Sequence, residues 1–331
     1  MTRLGIISLT ITMAIMSLAC QRRPLYAEAQ GTIVKVMVDW SDFPEKPTGM
    51  TLMFFDEDNV RTQIITNNVD AIHVTLSEGH WRVYAFNQSI SEFSTLSFLG
   101  LDRYDTPLVS IDRIYETKWS PSKSSDEKTV VEPEHIGVAT GEFYVSGDEM
   151  TVGLKAEDVT MQLDVTVHIS GVQYLKQTRA AISGLAGGYY LTKGRPCDKG
   201  VTQLLENWTV YTDESNPDRG YARLTTGITT FGLPSVSKAG EDIASRNPRS
   251  NMFFIDFYLR DGETTESHSF EIGDQFDLSM DGGKIVLGLV IGYEAPIELP
   301  WVPDNIQTNQ TSGFDATVDE WETGGTIDIN M

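Results

Sequence analysis

The chain has 331 residues, 40% apolar and 22% charged, the proportions of a folded globular protein with room for two domains rather than of a disordered chain. Forty-seven acidic residues against 25 basic ones give a formal charge of −22, a field that repels phosphate backbones and excludes nucleic acid as a partner. Two cysteines exclude a disulfide framework and a cysteine-rich zinc site.

From Leu4 to Ala19 no side chain is ionised, and Arg3 is the only basic residue before that run. The run is short for a membrane-spanning helix, which needs about 20 apolar residues. It has the size of a signal-peptide core. It ends in Ser17–Leu18–Ala19–Cys20, with Arg22 and Arg23 directly after. This ending resembles the lipobox of bacterial lipoproteins, although Ser17 stands where Leu is usual. The resemblance implies cleavage between Ala19 and Cys20 and lipidation of the Cys20 thiol. Residues 1–19 are then a signal peptide and residues 20–31 a lipidated linker. The remaining cysteine, Cys197, lies in Gly194–Arg195–Pro196–Cys197–Asp198, which reads as a loop carrying a passive thiol.

Beyond the linker, two-residue alternation dominates. Val34, Val36, Val38 and Trp40 recur on one side of a strand. Asp56–Glu57–Asp58–Asn59 separates strands Met50–Phe55 and Val60–Thr66, and Ser77–Glu78–Gly79 precedes the strand Trp81–Asn87. The clearest case is Met161, Leu163, Val165, Val167 and Ile169, interleaved with Thr160, Gln162, Asp164, Thr166 and His168, a half-buried antiparallel strand. Phe253–Arg260 and Thr265–Ile272 flank Asp261–Gly262 as a hairpin does. Lys284–Tyr293 is more uniformly apolar and reads as a strand covered on both sides or near a sheet centre. Short helices are expected only at Ser91–Leu101 and Val201–Glu206. The pattern predicts an all-β protein of antiparallel sandwiches, an N-terminal one over 32–154 and a C-terminal one over 155–303. The polar segments 121–134 and 234–250 read as exposed loops. Residues 304–331 read as a polar spacer followed by strand-like Phe314–Trp321.

Catalytic motifs are missing. The five histidines form no H-x-x-x-H pair, and there is no G-x-S-x-G elbow, P-loop or G-x-G-x-x-G. The glycine-rich run Gly184–Leu185–Ala186–Gly187–Gly188 reads as a bend between strands, and Asp56–Asn59 as a plain turn rather than a calcium loop. No carboxylate pair stands out among so many. We therefore expect no enzyme, no cofactor and no metal site. Trp40 and Trp81 lie on alternating strands and are expected in the core; Trp301 and Trp321 are less clearly buried.

Several segments in order resemble the fimbrillin-like anchor lipoproteins of Bacteroidetes, the minor fimbrial anchor type. One branch of that family begins with Cys-x-Arg-Arg-Pro-Leu, here Cys20–Gln21–Arg22–Arg23–Pro24–Leu25. Thr48–Asp56, Leu76–Asn87, Val165–Gly171, Arg179–Gly188 and the closing Asp315–Trp321 match further family segments. The resemblance implies two tandem transthyretin-like β-sandwich domains. It also implies a lipid-anchored outer-membrane protein, facing the cell surface or the periplasm, that acts as a fimbrial anchor or minor pilus subunit. Its partners would be the membrane, through the lipid, and fimbrial subunits. A strand exchanged between subunits would be carried here by Phe314, Ala316, Val318 and Trp321. The alternative is a surface lipoprotein that binds glycans or another host ligand through its sandwiches.

Overall fold

The computed structural model describes residues 31–303, except 120, 213–219, 235, 237–242 and 282–283. Alternation decides most of its strands, because a side chain on every second position can be buried while its neighbours stay wet. In order they are β1 (Thr32–Asp42), β2 (Met50–Phe55), β3 (Arg61–Thr66), β4 (Ala71–Leu76), β5 (Gly79–Asn87), β6 (Leu96–Leu99), β7 (Leu108–Ile111), β8 (Thr129–Val130), β9 (Gly137–Val145) and β10 (Met150–Asp158). The second half supplies β11 (Met161–Ser170), β12 (Leu175–Ala186), β13 (Gly188–Tyr190), β14 (Arg195–Pro196), β15 (Gly200–Leu205), β16 (Thr209–Thr212) and β17 (Ala222–Thr230). It closes with β18 (Met252–Leu259), β19 (Thr265–Glu271), β20 (Asp277–Asp281), β21 (Lys284–Ile291) and β22 (Ile297–Glu298). The all-β class expected from the sequence is the class observed.

The first sheet has seven strands in the order β3, β2, β5, β9, β10, β1, β4. Strands β9 and β10 pair only from Ala139↔Ala156 to Gly137↔Asp158, so the sheet turns a corner there. Side chains from both wings then meet in one core: Val34, Val36, Val38 and Val74 from one wing, Leu52, Phe54, Val83 and Ala85 from the other. Trp40 and Trp81 belong to it, as expected, and each indole N–H is satisfied by a carbonyl, Val69 and Ser77 respectively.

In the second half, β16, β17, β11, β21 and β20 form one sheet, with β22 also on β11, and β19, β18, β12, β15 and β8 form the other. Leu163, Val165, Val167 and Ile169 share one core with Phe253, Ile255, Phe257 and Leu259. Antiparallel pairing dominates, but β1 runs parallel to β10 and β11 parallel to β21. Each half thus places its first long strand between an antiparallel neighbour and a late parallel one.

The halves are stitched together. Strands β6 and β7 from the first half join β13 and β14 from the second in a four-stranded sheet. Gly188 makes the join possible: a Cβ there would meet the Val109 carbonyl oxygen and lie 3.0 Å from Ser110 Cα. Strand β8 adds in parallel to β15. The expectation of an exposed loop at 121–134 is therefore corrected: Thr129 and Val130 are buried, and Glu127 Oε1 accepts from the Gly184 N–H at 2.6 Å and the Thr202 hydroxyl at 3.0 Å. In 234–250, Val236 and Ile243 are buried, so that segment is not simply exposed either. The helices expected at Ser91–Leu101 and Val201–Glu206 are a single 3-10 turn followed by β6, and strand β15. No helix among the described residues is long and apolar enough to cross a membrane.

One half-buried carboxylate leads to a pH prediction. Burial pushes the Glu134 pKa up, but the N–H and hydroxyl groups of Thr95 and Ser94, at 2.8–3.2 Å, outweigh burial and hold it below the ordinary 4.5. A carboxylate lowered in the fold stabilises it fully above its unfolded pKa, and that stability fades as pH falls through the lowered value. Glu134→Gln is expected to lose about 1.5–3 kcal/mol at neutral pH, the worth of charge-assisted hydrogen bonds. The variant's loss relative to the native chain should shrink towards pH 3, as read by melting temperature. A constant loss at every pH would contradict this.

Candidate functional site

The outer face of β11, β17 and β16 carries a surface hollow. Strand register sets it: His168 on β11 lies opposite Arg223 on β17, which lies opposite Tyr211 on β16. The three side chains form a row across the sheet, spanning about 10 Å at the usual strand spacing. Gly292, at φ 73°, lets the chain after β21 turn against this row; a Cβ on it would lie 2.9 Å from the His168 carbonyl oxygen. The turn delivers Tyr293, whose ring meets His168 edge-on at 5.5 Å, and Pro296. His168, Tyr211, Thr212, Tyr221, Arg223 and Pro296 line an open hollow of about 390 Å³, and Tyr293 stands beside it against His168. That volume falls within the ~300–1,000 Å³ typical of small-ligand sites.

Tyr211 is 51% exposed and Tyr293 76% exposed. The Arg223 guanidinium stacks on the Tyr211 ring at 5.1 Å and makes no ion pair among the described residues. Burial lowers the His168 pKa below its ordinary 6.5, and the Arg223 charge lowers it further, so the imidazole is neutral at pH 7. The arrangement offers one cation, one neutral imidazole, hydroxyls and open aromatic rings, groups that can recognise a polar ligand.

A further hollow, of about 560 Å³, is lined by Lys123, Glu127, Asp198 and Arg246, among other residues. There Glu127 is held as described, the Lys123 ammonium donates to the Ser250 carbonyl, and Asp198 pairs with Arg195. No group of three or more His, Cys, Asp or Glu side chains arranged to hold a metal occurs among the described residues. Cys197 is buried, which pushes its thiol pKa up, and it donates to the Lys199 carbonyl. Asp56 forms a turn, accepting the Asp58 and Val60 N–H groups.

The site residues named from the sequence, Ala19, Cys20, Phe314, Ala316, Val318 and Trp321, lie outside the described residues. The hollow was not foreseen. Alternation puts His168 among the polar positions of its strand, and nothing local links it to Tyr211 or Tyr293. The faint signal was three aromatic residues at or just beyond the ends of alternating strands. Trp301 is 70% exposed, and β16 is an edge strand exposed along its whole length.

These features define an all-β protein of two stitched sandwiches with open sheet edges and a surface hollow. Among solved structures the chain is similar to a protein described as an adhesin from Bacteroides ovatus, at 17% identity and a TM-score of 0.57, over 86% of this chain and 98% of that one. Another such adhesin, from Bacteroides thetaiotaomicron, is similar at 10% identity and a TM-score of 0.46, over 69% and 76% of the chains. The fimbrial anchor protein Mfa2 from Porphyromonas gingivalis is similar at 12% identity and a TM-score of 0.41, over 68% and 77%. The chain belongs to the family described as a domain of unknown function, DUF5119, whose model matches residues 19–206. No curated protein sequence matches it.

Proposed function

We propose that this chain is a lipid-anchored cell-surface protein of the outer membrane that acts, without catalysis, as a fimbrial anchor or minor subunit in adhesion. The observation that carries the reading is the shared fold with the Bacteroides ovatus adhesin, which extends over 98% of that chain. The lipobox-like Ser17–Leu18–Ala19–Cys20 supports the anchor. Two or three acyl chains hold a protein stably, at about 0.8 kcal/mol per buried methylene. Open edges support assembly: among the described residues β16 bonds only to β17, and unpaired strand edges are templates for a strand from a neighbour. Residues 304–331, with Phe314, Ala316, Val318 and Trp321, are the segment we assign to such exchange.

Two changes test the reading. Cys20→Ala is expected to move the protein from the membrane fraction to the soluble one and to abolish acyl labelling; a variant that stays membrane-bound removes the lipid anchor. Deleting residues 313–331 should leave a folded protein that no longer co-purifies with a polymer. Loss of folding, read by circular dichroism, would show that the tail serves its own sandwich and would sink the exchange idea.

A further inference from the structure

We propose that the hollow lined by His168, Tyr211 and Arg223, with Tyr293 beside it against His168, binds a carboxylated sugar, a uronic or nonulosonic acid residue of a glycan. Arg223 grips the carboxylate and Tyr293 carries the sugar ring.

The chemistry is set by what each group has free. Arg82, Arg195 and Arg249 pair with the carboxylates of Asp105, Asp198 and Glu271. Arg223 instead stacks on Tyr211. Lying over the ring face, the guanidinium is held in place by the ring while its N–H groups can serve the two oxygens of a carboxylate. Tyr211 is thus a positioning residue for Arg223. Tyr293 presents an exposed ring whose negative π-face suits the weakly positive C–H groups on one side of a pyranose. His168 fixes that ring edge-on and, being neutral at pH 7, can exchange hydrogen bonds with hydroxyls without adding a second charge. A lone cation on a body of charge −22 fits a ligand with isolated carboxylates. Densely sulfated or phosphorylated polymers would be repelled.

The site holds whether or not the chain joins a fimbria, so its failure and that of the anchor reading are separate results. The test is calorimetric titration of the full chain in detergent with trigalacturonic acid and with sialyllactose. The carboxyl-reduced form of each serves as its neutral control. At least one acidic probe is expected to bind, with its reduced form weaker by about tenfold or more. Arg223→Gln should weaken it by about tenfold with an unchanged melting temperature, and Tyr293→Ala by a smaller factor. Binding of the first probe alone assigns a uronic acid, of the second alone a nonulosonic acid, and of both the carboxylate as the shared determinant. The proposal is overturned if neither acid binds, if a reduced probe binds equally, or if Arg223→Gln leaves affinity unchanged. It is also overturned if only an extended peptide docks along β16.

Discussion

Gly188→Val is expected to break the sheet that both halves of the chain build, at a cost of about 3 kcal/mol. The side chain would enter between β13 and β7, where the Val109 carbonyl and Ser110 Cα already fill the space. Both obstacles are backbone, so neither can swing aside as a flexible side chain does. The pairs Gly188↔Ser110, Tyr189↔Val109 and Tyr190↔Leu108 would open. The bonds from Ile111 N to Gly187 O at 2.9 Å and from Leu191 N to Pro107 O at 3.0 Å would go with them. Buried donors left without partners add to the cost. Gly153→Val is the control: it also lies in a strand, but a Cβ there meets nothing within 4 Å. A β-branched residue at that exposed strand position should be neutral or mildly stabilising. Urea midpoints compare the two variants, and amide exchange at Ile111 and Leu191 should quicken only in Gly188→Val. Equal stability of the two variants would mean the joint sheet contributes nothing.

The glycine run shows what the sequence could and could not disclose. A bend at Gly184–Gly188 was legible, because glycines in a strand pattern mark a bend or a close backbone approach. That β7, about eighty residues earlier, is the backbone approaching it was not, since pairing partners leave no local mark. The same holds for β8: Lys123–Glu134 looked unburiable because its anchors are polar. Glu127 binds Gly184 and Thr202, and the Lys123 N–H donates to Ser183 Oγ. Hydrogen bonds of this kind do not appear in hydrophobic periodicity. Strand β15 was misread for the opposite reason. Its residues from Val201 to Leu205 are all buried, so the two-residue alternation vanishes. Where one face stays wet, as in β11 and β18, position and register of burial were plain from the residues alone. The ligand hollow depends on the register of three strands at once, which a single strand's pattern does not specify.

Phe86→Ala is expected to cost about 3–5 kcal/mol, the usual range for truncating a fully buried aromatic side chain. Strand β5 explains why this position matters beyond its size. Trp81, Val83 and Ala85 point into the core between the wings of the first sheet, whereas Tyr84 and Phe86 point the other way, into the core shared with the second half. Phe86 is wholly buried, with the ring of Phe98 at 5.0 Å and that of Phe93 at 6.3 Å. Phe93 and Phe98 sit on the segment that forms β6 and leads to β7, so the Phe86 ring is the floor on which the joint sheet rests. Removing it leaves a cavity under β6 and should weaken the stitch to β13 as well as the local packing. Phe86→Leu, which keeps much of the volume, should lose clearly less. Val83→Ala removes buried carbon from the opposite face and should weaken the first core alone. Amide exchange separates the two: protection in β7 and β13 should fall in Phe86→Ala and hold in Val83→Ala. If both substitutions loosened β13 alike, the two faces of β5 would not serve separate cores. The halves would then be coupled through the first sandwich as a whole rather than through this aromatic floor.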